Sequence, residues 1–587
     1  MYTHTMKRLT LLVLLTWACM PRLMAQVTVF EAVTYLDVEK GKAIAGATVV
    51  VEDGIITKVS RRSVQAPEGA TVIDGTGKFL IPGLVDSHIH MFQSGGLYAR
   101  PDAIDMSPLK PYEEEIAWVR AQADDLFRRY MRQGITTVMD VGGPFTNFDI
   151  KDEFEDVATA PFYLTTGPLI SSYQPQAFEI EDPPIMLIQT PDAARELVSR
   201  QAERNPDFIK IWYIVFPGSS AEAYLPVVEA TMDEASKHGL PLAVHATGLA
   251  EAKLAVKAGA KYLVHSVREP IDQEFIDLLL ENEVVLDPTL IVSRKYSETF
   301  AQATDLTLTD FVWANPYTVG SFKDLRIHPD TAMVNQYRTG SEARLIQLDK
   351  EGSAEDIEAE NLKKLMDAGV MIATGTDAGN IGTLHATSYY QELAAMQASG
   401  LDNWQILKAS TLTPAEIVSQ AHLWGSIAEG KRADLVLLEA NPSDDLEALK
   451  QVDLVMKAGT LVDPDTLLPD TPEVLAQRQL NAYNEGDIDA FLEPYSDTVK
   501  IFRIPGSEPY MVGKENMRPR YANLFERIPE LHCEVVERMV VGNTVVDQER
   551  LTGLPDGNVA HAIAIYKVAN GKIVEVHFWS PEPYDIE

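Results

Sequence analysis

Two histidines, His88 and His90, stand two residues apart in the apolar run LVDSHIHMF that begins at Leu84. In an extended strand that spacing puts both side chains on one face, so the two imidazoles can reach a single metal ion. An H-x-H pair alone is equally at home in a core or on a wet surface. Its companions give it weight: His245 lies in PLAVHATG, His265 in YLVHSV and Asp377 in VMIATGTDAG, each within a further strand-like run. Lys210, in FIKIW, shares a strand face with Phe208 and Trp212. Burial there favours the neutral amine, which can take up carbon dioxide to give an anionic carbamate ligand; the alternative is a lysine that reaches out to the rim.

Something must bring these residues together. Apolar runs begin at Leu84, Gly134, Ala160, Phe208, Pro241, Tyr262, Glu283 and Val370, separated by helix-like stretches such as EEEIAWVRAQADDLFRRYMRQ, LAEAKLAVKAG and QEFIDLLLENE. Near-continuous apolar strands alternating with helices predict parallel pairing covered on both faces, and a (β/α)8 barrel of the α/β class provides it. The C-terminal strand ends of such a barrel converge on one mouth, where the histidines and Asp377 would meet. The connection from Ile291 to Ala343 is long and rich in aromatic residues and proline, which makes it a candidate lid.

Flanking the barrel run, residues 26–80 and 425–468 carry short β-like segments, with Asp53-Gly54 as a hairpin signal. Their shared character predicts a composite β-sandwich interrupted by a barrel over residues 81–424. After about Pro469 a helix-like stretch and several strand-like ones predict a separate α+β unit over residues 470–587.

Acidic residues number 86 against 50 basic ones, a net charge of −36. That balance repels phosphate backbones and anionic lipid, which argues against a nucleic-acid partner. Lys7 and Arg8 precede the apolar run from Leu9 to Met20, and Ala25 is a small residue before Gln26. This reads as an export signal peptide over residues 1–25, giving a periplasmic or secreted protein without stable membrane insertion. A lipoprotein linkage through Cys19 fits less well, because Thr16 and Trp17 stand where small or leucine residues are usual. Without that segment Cys533 is the single cysteine, so no intramolecular disulfide can form.

The string IPGLVDSHIH, followed in order by FIKIW, AVHATG, LVHSV and ATGTDAG, resembles the metal-dependent amidohydrolase superfamily, in its imidazolonepropionase-like and prolidase-like branch. The run TLTPAEIVSQAHLWGSIAEGKRADLVLLEANP extends the likeness, which covers roughly Val27 to Leu467. The resemblance implies a distorted TIM barrel with a discontinuous β-sandwich. It also implies two divalent metal ions, zinc by ligand type, with His88, His90 and Asp377 on one, His245 and His265 on the other, and a carboxylated Lys210 bridging them. Metal-activated hydroxide would attack a carbonyl while Asp377 serves as general base and then acid. The Gly that often follows the sixth-strand histidine is lacking in LVHSV.

Tyr213 and His385 are softer candidates for substrate contacts, and Arg294, Lys295, Lys323 and Arg326 could meet a substrate carboxylate. The segments LNAYNEGDIDAFLEPY, VGNTVVDQE and YKVANGKIVEVHFW resemble the SnoaL-like members of the NTF2-like cone, a fold that often encloses an apolar pocket and often dimerises. His532, Asp547, His561 and His577 are its candidate acid/base residues. The expected function is hydrolysis of an amide or peptide-type C–N bond in a dipeptide or N-acyl amino acid. Hydrolysis of a cyclic imidazolone or lactam amide, or a binding or assembly role exercised through the cone, are the alternatives.

Overall fold

The computed structural model describes residues 26–555 and 557–581. The expected export segment, residues 1–25, lies outside the described residues. Among these residues no helix is long and apolar enough to cross a membrane.

Strands from both ends of the first 470 residues share one eight-stranded sheet. From one edge its order is Thr460–Val462, Val452–Lys457, Leu435–Leu438, Phe79–Pro82, Val27–Asp37, Lys42–Glu52 and Ile55–Ser60, with Thr71–Asp74 also paired to Val27–Asp37. The Asp53-Gly54 hairpin forms as its residue types predict, both at positive φ (46° and 81°). Glycine is needed there twice over, since a Cβ on Gly54 would lie 2.7 Å from the Ala458 carbonyl oxygen.

The parallel strands divide into two arcs. One holds Leu84–Ile89, Ile135–Asp140 and Phe162–Thr165, and the other runs Ile185–Leu187, Leu169–Ser171, Ile209–Trp212, Leu242–His245, Tyr262–Val264, Val285–Asp287 and Met371–Ile372. Among the described residues a single closed eight-stranded ladder does not form. The run from Ala160, expected as one strand, breaks after Thr165, because Gly167 takes φ 78° and Pro168 has no N–H to give a ladder. Separate hydrogen bonds join the arcs. Gly143 N donates to Gly167 O at 3.1 Å on one side; on the other, Ser87 N donates to Thr374 O at 2.9 Å and Asp377 N to His88 O at 2.7 Å. This second seam sets the His88 strand directly against the Asp377 segment.

The expected helices form over Leu249–Lys257 and Gln273–Glu281, burying Ala252, Ala255, Phe275 and Leu279 against the strands. The 291–343 connection folds into helices Val292–Phe300, Leu308–Trp313, Pro316–Ser321 and the start of Thr331–Leu348. It is a joint as much as a lid. Phe311, Val319 and Phe322 enter the core of the C-terminal unit, Asn481 Nδ2 donates to Pro316 O at 2.6 Å, and the nearly buried Lys323 pairs with Glu485 at 2.7 Å. The C-terminal unit wraps a six-stranded sheet around helix Pro472–Glu485, which Thr471 caps and Gly486 ends.

The break at Gly167 gives a stability prediction. A Cβ there would stand 2.6 Å from the Phe148 ring, at a φ that L-residues adopt with strain. Gly167→Ala is expected to cost about 1–3 kcal/mol in denaturant unfolding, and an unchanged midpoint would contradict this account of the break.

Candidate metal centre

The side chains singled out above gather where parallel strands end. His88 belongs to Leu84–Ile89 and His90 follows it; His245 closes its strand and His265 comes directly after Val264. Pairing of Trp212 with His245, His245 with Val264 and Val264 with Asp287 aligns these ends in register. The imidazole rings form a chain, with centroids 5.4 Å apart for His90 and His88, 5.0 Å for His88 and His265, and 4.4 Å for His265 and His245. Asp377 Oδ1 lies 3.2 Å from Nε2 of both His88 and His90. Among the described residues, His88, His265 and Asp377 bring ligand atoms within 4.8 Å of one another.

The protonation states set what this cluster can do. His90 Nδ1 is 2.8 Å from the carbonyl oxygen of Gly142, which can only accept, so Nδ1 carries a proton and donates it there. Burial lowers the His88 pKa to about 4, so at pH 7 its contact with Asp377 is not an ion pair. Among the described residues the buried Nδ1 atoms of His88 and His245 have no hydrogen-bond partner. Lys210 is 1% exposed, and burial brings its pKa down to about 7 although Asp377 and Asp287 act in the opposite sense. The resident cation is therefore easily lost, and unspent imidazole nitrogens crowd an acid. Such a donor set fits a divalent cation that favours nitrogen and oxygen, whose ligands at about 2.0–2.2 Å leave neighbouring donors roughly 3–3.5 Å apart.

A layer behind these residues fixes their directions. Asn380 Nδ2 donates to Asp377 Oδ1 at 2.7 Å, and Asn380 Oδ1 accepts from Arg100 Nη1 at 2.7 Å and from the Tyr296 hydroxyl at 2.8 Å. Asp287 Oδ2 accepts from Ser87 and Tyr262 at 2.7 and 2.9 Å, and burial pushes its carboxyl up to about 7. Asp86 accepts from Thr376 N and Oγ1 at 3.0 and 2.8 Å, tying the first strand to the Asp377 segment. Both His265 and Asp377 sit at positive φ, 75° and 60°, a strain that neighbouring structure must hold. Gly375 makes the packing possible, because a Cβ there would lie 2.0 Å from Asp287 Oδ2 and 2.6 Å from His88 Cβ.

Asp287, Asp86, Asn380 and Arg100 escaped the sequence reading. Asp287 and Asp86 carried the signal used for Asp377, a carboxylate in an apolar strand-like run. Arg100 and Asn380 meet across 280 residues, and no local pattern encodes that.

Two expected substrate contacts are placed otherwise. Tyr213 is fully buried and its hydroxyl donates to Ala221 O at 2.5 Å, so it has no proton left for a substrate carbonyl. His385 spends both nitrogens, Nδ1 on the Tyr130 hydroxyl at 2.9 Å and Nε2 on Gln93 O at 2.8 Å. The basic residues of the connection are likewise engaged: Arg294 with Glu355 and Asp349, Lys295 with Glu298, Lys323 with Glu485, and Arg326 with the carbonyls of Glu530 and Leu531. In the cone, Asp547 is fully buried in a two-pronged pair with Arg538, His577 stacks on Phe502 at 4.4 Å and His561 is exposed. His532 is buried and lowered to about 4. The acid that stands out there is Glu549, which burial pushes up to about 7 while the Tyr566 hydroxyl donates to it at 3.0 Å.

These positions can be compared with known proteins. Residues 79–462 match the amidohydrolase family, and residues 476–576 match the SnoaL-like domain. Enamidase of Eubacterium barkeri is 30% identical over 106 residues, 18% of this chain and 22% of its own length. Imidazolonepropionase of Shouchella clausii is 36% identical over 110 residues, 18% of this chain and 24% of its own. The chain thus spans about a quarter of the length of these relatives. A crystal structure of an Xaa-Pro dipeptidase with bound methionine superposes with a TM-score of 0.56 at 22% identity, covering 75% of this chain and 100% of that one; that likeness is one of fold.

Two outcomes follow. Tyr213→Phe is expected to leave kcat/KM within about threefold while costing roughly 1 kcal/mol of stability, and a loss of turnover without loss of stability would return Tyr213 to the substrate. Because the folded pKa of Glu549 lies above the usual carboxylate value, its contribution to stability is present at low pH and is lost as pH rises through about 7. Glu549→Gln should flatten that part of the stability profile, and an unchanged slope would refute it.

Proposed function

This chain belongs to the amidohydrolase family, and from that premise we propose that it is a metal-dependent hydrolase cleaving the amide bond of a dipeptide or an N-acyl amino acid. The observation that carries this reading is the meeting of His88 and His90 Nε2 on one Asp377 oxygen, each at 3.2 Å, inside a wall of buried groups. We assign His88, His90 and Asp377 to one divalent ion, His245 and His265 to a second, and a carboxylated Lys210 to the bridge, with zinc as the metal. Such ions, when bound, supply Lewis acidity to the scissile carbonyl and to the attacking water.

The chain's own groups do the rest. Asn380 holds Asp377 Oδ1, which leaves Oδ2 to take a proton from the attacking water and hand it to the leaving nitrogen. The water oxygen bonds to the carbonyl carbon, the C–N bond breaks, and an acid and an amine depart. Gly142 keeps the His90 tautomer and Thr289, 2.6 Å from His265 Nδ1, steadies that ring. Taking residues 1–25 as an export signal, the reaction would occur outside the cytoplasm. A second reading within the same chemistry is a cyclic amide substrate, favoured by the segments shared with relatives named enamidase and imidazolonepropionase.

Elemental analysis of the purified protein, paired with a screen of dipeptides, N-acyl amino acids and cyclic amides, tests both readings. Stoichiometric metal and turnover of one amine class are expected, with His88→Ala lowering kcat/KM on the order of 10³-fold. Absence of bound metal, or a His88→Ala variant as active as the parent, would defeat the proposal.

A further inference from the structure

Two aromatic side chains stand two residues beyond members of the metal centre, Phe92 after His90 and Trp212 after Lys210. Trp212 shares a strand face with Lys210, and its indole reaches the His245 ring at 5.7 Å between centroids. Phe92 meets the His90 ring edge-on at 5.8 Å. Behind them Phe178 lies fully buried, 6.4 Å from Phe92, in an apolar cluster with Leu169 and Ile185 against which Trp212 also packs. An apolar wall therefore touches the rings of two candidate ligands.

The wall runs out to the rim of the mouth. Trp212 pairs in register with Ser171, and the loops that leave these two strand ends are tied by the Ser172 hydroxyl, which donates to Ile214 O at 3.0 Å. Tyr173 and Phe216, one on each loop, meet edge-on at 5.4 Å while 44% and 45% exposed. Two large rings held against each other in water, beside a buried aromatic wall, make a surface that an apolar group can cover. Its polar neighbours Ser171 and Arg100 are already engaged. Ser171 Oγ donates to Tyr173 O at 2.5 Å, and Arg100, whose guanidinium lies 5.8 Å from the Phe178 ring, is held by Asp102 at 2.7 and 2.6 Å and by Asn380. Groups so engaged offer nothing to a charged substituent, whereas covering the apolar area is favourable.

The position of the wall decides which half of a substrate it would hold. The Trp212 strand stands four places from Met371–Ile372, the strand that leads to Asp377, and so lies across the mouth from that acid. Asn380 holds Asp377 Oδ1, which leaves Oδ2 to protonate the leaving nitrogen. That nitrogen must lie on the Asp377 side, and the acyl group then points the other way, toward Trp212.

We propose that Phe92, Trp212, Tyr173 and Phe216 form the acyl subsite, and that the substrate is an N-acyl amino acid whose acyl group is aromatic. This rests on the reading of Asp377 as the group that protonates the leaving nitrogen. The test compares hydrolysis of N-benzoyl and N-acetyl derivatives of one amino acid by the full chain. Alongside it, N-phenylsulfonylglycine and N-methylsulfonylglycine, which have no scissile carbonyl, are titrated calorimetrically. The parent should favour benzoyl over acetyl at least about tenfold in kcat/KM and bind the phenyl probe at least about tenfold more tightly than the methyl one. Trp212→Ala should bring both ratios toward one. The double change Tyr173→Ser with Phe216→Ser should lower both ratios as well, and because it alters only exposed rings it should keep the parent's melting temperature. Ratios near one in the parent, or ratios untouched by both variants, would overturn the proposal while leaving the hydrolase reading in place. Probe binding with the expected preference and the expected response to the variants, in a chain that hydrolyses no amide, would keep the aromatic site and defeat the hydrolase reading.

Discussion

The structure turns on a buried carboxylate set against two imidazole nitrogens, Nε2 of His88 and of His90. Asp377 Oδ1 stands 3.2 Å from Nε2 of His88 and of His90, and His90 Nδ1 donates to the Gly142 carbonyl. Burial raises the cost of leaving such an arrangement without a cation, since low dielectric strengthens every unbalanced interaction. Lys210 cannot discharge that duty well, because burial draws it toward the neutral amine.

Much of the surrounding fold serves to hold this group in place. The seam hydrogen bond from Asp377 N to His88 O, the grip of Asp86 on Thr376 and the close approach at Gly375 lock two strand ends that are nearly 300 residues apart. Strained φ values at His265 and Asp377 belong to the same design, for strain persists only where neighbours enforce it. The C-terminal unit bears on the arrangement through the joint at Pro316–Lys323, whose Ser321 hydroxyl accepts from Leu97 N in the loop that carries Arg100. The C-terminal unit thereby helps to position the loop behind the metal centre.

How much of this could be read from the chain depends on the range of the interaction involved. Strand periodicity brought out His88, His90, Lys210, His245, His265 and Asp377, because an apolar run with one polar member is a local signal. It overlooked Asp287, which carries the same signal. The division of the parallel strands into two arcs depends on Gly167 and Pro168, which were visible but sat inside a run apolar enough to read as one strand. Tyr213 and His385 were softer signals for another reason. A polar tip goes where an acceptor waits, and theirs wait at Ala221, Tyr130 and Gln93, in segments whose placement comes from tertiary packing. The bases of the 291–343 connection were open to the same ambiguity, since their acid partners come mostly from other elements.

Anomalous diffraction from crystals grown with zinc, recorded on both sides of the zinc absorption edge, tests the central claim most directly. The account predicts a peak lying about 2.0–2.2 Å from His88 Nε2, His90 Nε2 and an oxygen of Asp377. Direct contact between Asp377 and the two histidines, with no anomalous density among them at saturating zinc, would contradict it.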